Sequence, residues 1–504
     1  MATSQVTRYN NYIGGQWVEA GTGRTYTIYN PASKDTVLGE FQTSGAEDAL
    51  KAVDAAQEAL AGWAGTPAPI RAGVLFRAIE ILRQRGDDIA RTITLEEGKP
   101  LSDAQGEVKR AMNIMEYAAG EGRRMFGYTT PSELPDTVAY TVRRPLGVVA
   151  IITPWNFPIA IPAWKIAPAL ICGNTIVFKP ASATPWSAVK LMEVFEEAGL
   201  PPGVMNMVTG PGASVGNALV ESPLVKGISF TGSTEIGTGI YAQGAGLLKK
   251  VQCEMGGKNA VILLADADLD KALGGIIQGA FGSTGQRCTA TSRVIVEEPI
   301  YDRFMEELID RTSKLKIGDG LDPDVDVSPL ASLSQFETVM EYIGIGAEEG
   351  ARLAYGGHAL SGGIYDEGYY IEPTIFTDVK NDMRIAREEI FGPVLSVVRV
   401  KDFKSAVDLV NDHELGNGTS IYTRDGDVGR TFASKIKIGM VGINIPIPVP
   451  VAYHSFGGWK RSLFGDQHMH GPEGVRFYTK LKTITSKWPT GLAENPDFKM
   501  PILN

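Results

Sequence analysis

Residues 148–158 read Val-Val-Ala-Ile-Ile-Thr-Pro-Trp-Asn-Phe-Pro, a short apolar run that ends in a polar turn between two prolines. Further apolar runs follow at 175–180, 204–210 and 227–232. Helix-like segments separate them at 161–171, 184–198 and 234–246. Because apolar strands that alternate with helices are typical of a parallel sheet buried on both faces, the chain is predicted to have an α/β fold.

The same pattern returns farther along the chain, with apolar runs at 260–263, 293–296 and 393–398. These runs predict a second α/β unit. Residues 10–40 indicate short strands, and residues 45–120 are predicted to form successive amphipathic helices. An alternating stretch at 137–144 predicts a protruding hairpin, and another at 475–484 predicts a further strand.

Length and charge narrow the possible functions. The 504 residues are enough for two or three domains, and 48 basic against 58 acidic side chains give a net charge of −10. That balance argues against general nucleic-acid binding, which requires many basic groups against phosphate. No apolar window predicts a membrane span, and the polar first residues lack the pattern of a signal peptide. Three cysteines without paired spacing predict no metal site and indicate a reducing cytoplasm.

One cysteine differs from the other two in its surroundings. Cys288 lies in a turn rich in glycine, serine and threonine, whereas Cys172 and Cys253 follow apolar residues and are predicted to be core residues. Free cysteine is usually buried, so a structural role is the alternative. In an exposed turn, the neighbouring Arg287 would lower the pKa of the Cys288 thiol and favour a nucleophile.

Two polar side chains could complete such a site. Glu254 ends an apolar stretch just before Gly256 and Gly257, where a carboxylate could activate water, although a lone glutamate is more often a solvated surface residue. Asn156 stands between two prolines as a rigid amide donor for an oxyanion, although asparagine is also common in ordinary turns.

Signals for a bound nucleotide are weaker. Residues 230–237 pass from a predicted strand through Gly232 and Ser233 into a helix, whose first N–H groups favour a phosphate. The GxGxxG fingerprint is absent. Lys179 ends another predicted strand and could donate to a ribose, and the alternative is an ordinary surface lysine.

Taken together, these segments resemble the aldehyde dehydrogenase superfamily nearly from end to end. Six motifs stand in the family's order, at 154–158, 230–234, 254–258, 285–288, 388–394 and 456–458. The resemblance implies a Rossmann-type cofactor domain, a catalytic α/β domain and a small β arm that forms a homodimer or homotetramer. The implied bounds are 1–124 and 147–254 for the cofactor domain, 255–463 for the catalytic domain, 125–146 and 464–490 for the arm, and 491–504 for a C-terminal tail.

The resemblance also implies roles for individual residues. Cys288 matches the nucleophile, Asn156 the oxyanion donor, Glu254 the general base that releases the acid, and Lys165 a lysine near that base. Cofactor binding is implied for Thr153, Pro154, Trp155, Lys179, Ser182, Gly232, Ser233, Met255, Glu389 and Phe391. Substrate binding is predicted for Arg110, Phe157, Trp164, Arg287, Thr289 and Phe456, and no metal is required.

The implied cofactor is NAD or NADP. NAD-preferring relatives often have an acidic residue three positions after the lysine that matches Lys179, and here that position is Ser182. A carboxylate would repel a 2′-phosphate and a serine would not, so the sequence slightly favours NADP.

The implied substrate is an aldehyde that bears an acid group. Residues 140–300 resemble α-ketoglutarate semialdehyde dehydrogenases, and the C-terminal part resembles methylmalonate-semialdehyde dehydrogenases, which use CoA and have asparagine as the general base. Because Glu254 is retained, hydrolysis is expected, on a substrate such as α-ketoglutarate or succinate semialdehyde. Arg110 and Arg287 are predicted to bind the acid group, since a guanidinium matches a carboxylate or sulfonate. A surface salt bridge is the alternative for Arg110.

Other activities stay open. They are a CoA-acylating semialdehyde dehydrogenase, a sulfolactaldehyde dehydrogenase and a general aldehyde dehydrogenase. A catalytically silent member of the fold is a further alternative, against which the intact Cys288, Glu254 and Asn156 argue. Residues 459–465 depart from the pattern usual in relatives and are expected to alter the loop over the substrate mouth.

Overall fold

A computed structural model of the chain describes residues 6–488. The predicted tail at 491–504 and the last two residues of the predicted arm, 489 and 490, lie outside the described residues. Between residues 6 and 488, no helix combines the length and the apolar character that a membrane crossing requires.

The described residues form 23 strands and 15 α-helices. The strands are β1 Arg8–Tyr9, β2 Asn11–Ile13, β3 Gln16–Val18, β4 Thr25–Asn30, β5 Ser33–Gln42, β6 Thr129–Pro131, β7 Thr137–Pro145, β8 Val148–Ile152, β9 Thr175–Lys179, β10 Met205–Met207, β11 Val225–Thr231, β12 Lys250–Glu254, β13 Ala260–Leu263, β14 Arg293–Glu297, β15 Arg352–Tyr355, β16 Thr374–Thr377, β17 Val394–Val400, β18 Leu415–Gly416, β19 Gly418–Tyr422, β20 Met440–Ile443, β21 Trp459–Lys460, β22 Leu463–Phe464 and β23 Thr479–Lys487. The helices are α1 Ala46–Gly65, α2 Ala68–Gln84, α3 Gly86–Glu97, α4 Leu101–Glu121, α5 Ala160–Ile171, α6 Pro185–Glu197, α7 Asn217–Glu221, α8 Thr234–Gly246, α9 Leu269–Phe281, α10 Glu298–Thr312, α11 Leu333–Glu348, α12 Arg384–Arg387, α13 Phe403–Asn411, α14 Gly426–Lys435 and α15 Gly471–Phe477.

The first large sheet has eight strands in the order β22-β12-β11-β8-β9-β10-β2-β3. Its five central strands, from β12 to β10, run parallel. All four apolar runs predicted around residues 148–232 are strands of this sheet, so that prediction is confirmed. Separate apolar clusters cover the two faces of the sheet, as expected for strands without an alternating pattern.

The strand order reverses at β8. The chain passes from β8 to β9 and β10 on one side, then returns to β11 and β12 on the other side. The carboxyl ends of β8 and β11 therefore flank a topological switch point, the position where open α/β sheets bind ligands.

The second large sheet has seven strands in the order β15-β16-β17-β14-β13-β19-β20, and only β15 is antiparallel to its neighbour. This sheet confirms the predicted second α/β unit. Aspartate or serine side chains cap four of its helices by accepting a backbone N–H, which satisfies a donor that has no partner within the helix. The capping residues are Asp268, Ser332, Asp402 and Asp425.

A separate three-stranded sheet, β23-β7-β6, forms the predicted arm. β7 and β23 pair antiparallel along nine residues each, so the predicted pairing of hairpin and C-terminal strand is confirmed. The predicted strand at 475–484 begins too early, because residues 471–477 form α15, which has a proline in its first turn.

The predicted start of the arm at residue 464 is also wrong. β22 pairs antiparallel with β12 and closes one edge of the eight-stranded sheet. Val475, Phe477 and Tyr478 are buried in an apolar cluster of the first unit. β22 and the buried residues of 475–478 therefore pack with the first α/β unit, and only β23 continues into the arm.

Candidate active site

A cleft of about 880 Å³ opens at the carboxyl ends of the parallel strands around the switch point. Lys179 and Glu254 are the last residues of β9 and β12, and Thr153 and Gly232 immediately follow β8 and β11. All four line this cleft, which we call the strand-end cleft. Four separate strands thus bring their ends to one site.

Most of the residues predicted to bind a cofactor line the strand-end cleft. The predicted residues in its wall are Thr153, Pro154, Trp155, Lys179, Gly232, Ser233, Met255, Glu389 and Phe391. Ser182 is the exception, because its hydroxyl donates to the Gly210 carbonyl at 3.2 Å and Ala181 lines the cleft in its place. The prediction that Ser182 itself faces a bound cofactor is therefore not supported by the geometry.

Glu389 is held at the rim of the strand-end cleft by close backbone contact. Its Oε1 accepts the Gly257 N–H at 3.0 Å, and a Cβ on Gly256 would overlap its carboxylate. The glycines of the motif at 254–258 therefore allow the Glu389 carboxylate to lie against the backbone.

Two aromatic residues of the cleft wall also contact each other. The Trp155 and Phe391 rings meet edge to face at 5.4 Å between centroids.

Cys288 lines the same cleft at its inner end. The preceding turn is buried, contrary to the predicted exposed turn, and both Ser283 and Thr284 adopt left-handed backbone angles. A Cβ on Gly285 would overlap the Gly392 carbonyl, so only glycine fits there. The turn is compact because it packs against a second backbone segment.

Burial raises the pKa of the Cys288 thiol well above its ordinary value, and the charges of Glu254 and Glu389 add to this, while Arg110 opposes it. Arg287 does not lower it as predicted. The Arg287 guanidinium donates to Asp103 Oδ2 at 2.7 Å and to Ser283 Oγ at 2.8 Å, and it lies outside the wall of the strand-end cleft. The predicted contact of Arg287 with substrate is not supported by this geometry, because the ion pair with Asp103 holds its side chain away from the cleft.

Asn156 is buried and lines the strand-end cleft beside Cys288. Its Nδ2 donates to the Gln286 carbonyl at 3.0 Å, which links the Asn156 turn to the turn that holds Cys288. An amide nitrogen has two hydrogens, so a second donor remains for a ligand. This arrangement suits an oxyanion that forms near the Cys288 sulfur.

Glu254 is fully buried and faces the strand-end cleft. Asn417 Nδ2 donates to its Oε1 at 3.0 Å. Burial raises the pKa of Glu254, although Lys165 and the Asn417 hydrogen bond oppose this shift. A glutamate with a raised pKa and a fixed orientation can exchange protons near neutral pH.

Lys165 lies near Glu254 but outside the wall of the cleft. Its Nζ donates to Ser229 Oγ at 2.9 Å, and Ser229 in turn donates to Gln252 Oε1 at 2.9 Å. Burial lowers the pKa of Lys165, while the charge of Glu254 opposes that shift. Lys165 therefore affects the pKa of Glu254 through its charge and does not line the cleft.

An apolar cluster adjoins Cys288 on the side away from the strands. Trp164 stacks on Phe456 at 5.0 Å between ring centroids, and Phe157 packs against the same cluster. Thr289, also predicted to bind substrate, is buried and lines neither this cluster nor the strand-end cleft. Its predicted role is not supported by its position.

A second cavity of about 710 Å³ lies between α4 and residues 451–453, and we call it the α4 cavity. Ile114 and Ala452 belong both to its wall and to the apolar cluster around Cys288. Arg110 lines it, donates to the Pro450 carbonyl at 3.3 Å and lies 6.0 Å from the centre of the Trp164 ring. The α4 cavity thus adjoins the apolar cluster that packs against Cys288.

Two asparagines of the site escaped the sequence analysis. Asn417 contacts Glu254, and Asn259 Nδ2 donates to the carbonyls of Cys288, at 2.8 Å, and Ala290, at 3.0 Å. The glycines on both sides of Asn417 were a usable signal for a backbone that passes close to another segment. Nothing in the sequence pattern indicated which side chain Asn417 would reach.

The segment expected over the substrate mouth lies elsewhere. Within 459–465, Ser462 accepts the Gly416 N–H at 2.9 Å and donates to the Gly256 carbonyl at 2.7 Å. The Met255 N–H donates to the Ser462 carbonyl at 2.9 Å. These hydrogen bonds therefore hold the turn that follows Glu254.

The fold and the strand-end cleft define a nicotinamide-nucleotide-dependent oxidoreductase. The chain belongs to the aldehyde dehydrogenase family, whose model matches residues 17–484, and it is an NAD(P)-dependent aldehyde dehydrogenase. The family predicted from the motifs is thereby confirmed.

Similar proteins agree with this assignment over nearly the whole chain. An alpha-ketoglutaric semialdehyde dehydrogenase of Bacillus subtilis is 44% identical over 95% of this chain and 98% of its own length. A malonate-semialdehyde dehydrogenase of Bacillus pumilus is 42% identical over 97% of this chain and 100% of its own length. A provisionally named methylmalonate-semialdehyde dehydrogenase from Sinorhizobium meliloti, solved with NAD, is 39% identical, with a TM-score of 0.94 over 97% of this chain and 100% of its own.

Proposed function

We propose that this enzyme oxidises an acid semialdehyde, such as α-ketoglutarate semialdehyde, to the dicarboxylic acid by hydrolysis and without CoA. The main support is the position of Cys288, where the strand-end cleft meets the apolar cluster, with the buried Glu254 in the same cleft. The names of the similar proteins support an acid semialdehyde as the substrate class.

The strand-end cleft fits a dinucleotide in size and chemistry. Its volume lies in the range of cofactor sites. Among the residues that the structure describes, no side chain caps the first N–H groups of α8, and the buried Lys179 donates to one acceptor, the Pro180 carbonyl at 3.0 Å. These donors suit phosphate and ribose oxygens. When bound, NAD or NADP supplies a nicotinamide ring that accepts a hydride, and we keep only a slight preference for NADP.

In the first half of the reaction, the Cys288 sulfur forms a bond to the aldehyde carbon as the carbonyl π bond breaks. Because burial raises the pKa of the thiol, its proton passes to solvent water as the carbon–sulfur bond forms. The negative charge moves to the substrate oxygen, which the free N–H of the Asn156 amide and the backbone N–H of Cys288 stabilise. Loss of a hydride from the same carbon then leaves a thioester on Cys288.

In the second half, Glu254 takes a proton from water as the water oxygen bonds to the thioester carbon. The carbon–sulfur bond breaks, the acid departs and Cys288 recovers its proton. Asn417 holds one oxygen of Glu254, and the other has no hydrogen-bond partner among residues 6–488. That free oxygen is the one we assign to the water.

Arg110 is the group we propose for the substrate carboxylate. The α4 cavity has three basic side chains and one acidic side chain in its wall, and Arg124 among them is already paired with Glu121. The Arg110 guanidinium is close enough to Cys288 that its charge acts on the thiol. An anionic aldehyde that enters through this cavity would reach Arg110 before Cys288.

We also propose that the arm joins two or four copies of the chain. β6 and β23 are the outer strands of its sheet, and an unpaired strand edge readily pairs with another chain. Val138, Leu481 and Trp488 expose about half or more of their side chains on this arm. The molar mass in solution, measured by light scattering, tests this assembly.

The test is a panel of aldehydes with NAD and NADP, each with and without CoA. It includes α-ketoglutarate, succinate, malonate and methylmalonate semialdehydes, sulfolactaldehyde, and neutral aldehydes of equal length. We expect kcat/KM to be highest for anionic aldehydes without CoA. Arg110→Met should lower kcat/KM for these by about 10- to 100-fold, because a hydrogen bond to a charged group contributes about 1.5–3 kcal/mol.

The matched control is Arg91→Met, since Arg91 is an exposed arginine on the neighbouring α3. It should leave every kcat/KM value unchanged. Equal loss for neutral and anionic aldehydes in Arg110→Met would contradict the carboxylate contact. Full activity in Cys288→Ser would contradict the covalent mechanism as a whole.

A further inference from the structure

The segment from Gly98 to Glu107 leads into α4 and contacts the Asn156 turn through buried charge. Lys99 is fully buried, and its Nζ lies 2.9 Å from Glu107 Oε2. The same ammonium donates to the backbone carbonyl of Asn156 and lies 4.1 Å from the centre of the Phe157 ring. A buried ion pair of this kind keeps its geometry because breaking it would leave an uncompensated charge.

Glu107 extends this contact to the start of α5. Its Oε1 accepts the N–H groups of Ile159, at 2.8 Å, and Ala160, at 3.0 Å. These N–H groups have no acceptor within the helix, and a carboxylate is favourable at a helix N-terminus. Residues 156–160 are thus fixed by Lys99 and Glu107 together.

Asp103 lies between Lys99 and Glu107 in sequence and fixes the other turn. Its Oδ2 accepts from Arg287 Nη2 at 2.7 Å and from Ser283 Oγ at 2.5 Å. Burial opposes the charge, but Arg287 and Ser283 lower the pKa of Asp103 below its ordinary value. The turn that presents Cys288 is therefore bound to the first turn of α4.

Backbone contacts hold this segment firmly against the catalytic unit. The Leu101 N–H donates to the Gly320 carbonyl at 2.8 Å, and a Cβ on Gly320 would lie 2.6 Å from the carbonyls of both Gly98 and Lys99. A Cβ on Gly98 would lie 3.1 Å from the Pro329 carbonyl. No room remains for the segment to shift without displacing both units.

We propose that Asp103, Lys99 and Glu107 are positioning residues that set the spacing between the Asn156 amide and the Cys288 N–H. This inference rests on the proposed function, which assigns those two donors to the oxyanion. Arg287 then acts on the Cys288 turn and not on substrate. Because hydrogen bonds weaken steeply with distance and angle, a change in the spacing of the two turns weakens oxyanion stabilisation more than it changes the reactivity of the thiol.

The experiment compares two reactions of the same thiol in Asp103→Ala and Glu107→Gln. The first is hydride transfer in the first turnover with α-ketoglutarate semialdehyde, and it forms an oxyanion. The second is alkylation of Cys288 by iodoacetamide, and it forms none. We expect hydride transfer per active thiol to fall about 10-fold or more, against about 10²–10³ for complete loss of an oxyanion donor. Alkylation should change less than about twofold in Glu107→Gln, because Glu107 does not contact the Cys288 turn, and it should fall clearly less than hydride transfer in Asp103→Ala.

Gln105→Ala is the matched control, because Gln105 is exposed on the same helix and contacts Asp87 outside the site. It should change neither reaction. Ser283→Ala removes one hydrogen bond to Asp103 and the contacts of Arg287 with the Ser283 hydroxyl, but it keeps the Arg287–Asp103 ion pair, and it provides the same comparison should Asp103→Ala not fold. In the double variant of Asp103 and Glu107, we expect hydride transfer to fall by less than the product of the two single fold-losses. Either change alone already frees the spacing between the Asn156 amide and the Cys288 N–H.

Equal falls in alkylation and hydride transfer, or unchanged hydride transfer per active thiol, would overturn the positioning role. Neither result bears on Cys288 as the nucleophile. Activity of Cys288→Ser would instead overturn the proposed function, so the two failures are distinguishable.

Discussion

The strand-end cleft and the α4 cavity are built in different ways. Residues that end or follow β8, β9, β11 and β12 line the cleft, so its position depends on the topology of the sheet. The α4 cavity lies between one helix and the distant segment 451–453, and its character depends on long side chains such as Arg110. Topology therefore determines the position of the strand-end cleft, whereas side-chain contacts determine the character of the α4 cavity.

The largest effect should come from the strand-end cleft, at Glu254. Glu254→Gln should lower steady-state turnover by about 10²- to 10⁴-fold, because general-base catalysis contributes that much. Formation of one equivalent of reduced cofactor in the first turnover should persist, since hydride transfer precedes the step that needs the base. Rapid mixing with α-ketoglutarate semialdehyde measures both quantities. A first turnover lost to the same extent would place Glu254 in the acylation step as well.

An intermediate effect should come from the backbone of the same cleft. Gly256→Ala would force Glu389 from its place, because the added Cβ overlaps the carboxylate. We expect KM for the cofactor to rise by about tenfold, since overpacking costs about 1–3 kcal/mol and tenfold corresponds to about 1.4 kcal/mol. Gly62→Ala, in α1 with no atom within 4 Å of the added Cβ, is the control. An unchanged KM would show that Glu389 does not contact the cofactor.

The smallest effect should be a shift in pH dependence at Asn417. Burial raises the pKa of Glu254, so the base is protonated at low pH and hydrolysis should rise as the pH passes through that raised pKa. Asn417→Ala removes a donor that favours the ionised form and should move the rise upwards by about one to two pH units, since such a hydrogen bond contributes about 1.5–3 kcal/mol. The pH profile of single-turnover hydrolysis measures this. A downward shift would contradict it.

The difference between the two regions also explains what the sequence could predict. The strands at 148–152, 175–179 and 225–231 follow from apolar runs, and parallel topology brings their ends together. Nine of the ten predicted cofactor residues accordingly line the strand-end cleft. The direction of the Arg287 side chain was not predicted, because it depends on Asp103, which lies 184 residues away in sequence. No pattern in the residues around Arg287 indicates a partner that lies so far away in the sequence.

Other errors have local causes. Residues 475–477 alternate like a strand, but Pro472 begins a helix whose apolar residues are needed in the core of the first unit. Asn417 reaches Glu254 across 163 positions of sequence, so only the folded chain reveals the contact. The arm was easier to predict, because its strands β7 and β23 are long and alternating and contact mainly each other.

The pairing of β22 with β12 has a consequence for how this protein can be divided. A fragment that stopped after residue 254 would expose the edge of β12 and leave empty the space that Val475, Phe477 and Tyr478 occupy. The first α/β unit is therefore not a continuous stretch of sequence. Transferring it to another enzyme would require the late segment 463–478 as well. Because a late segment of the chain completes the first unit, the two units should unfold in one cooperative transition.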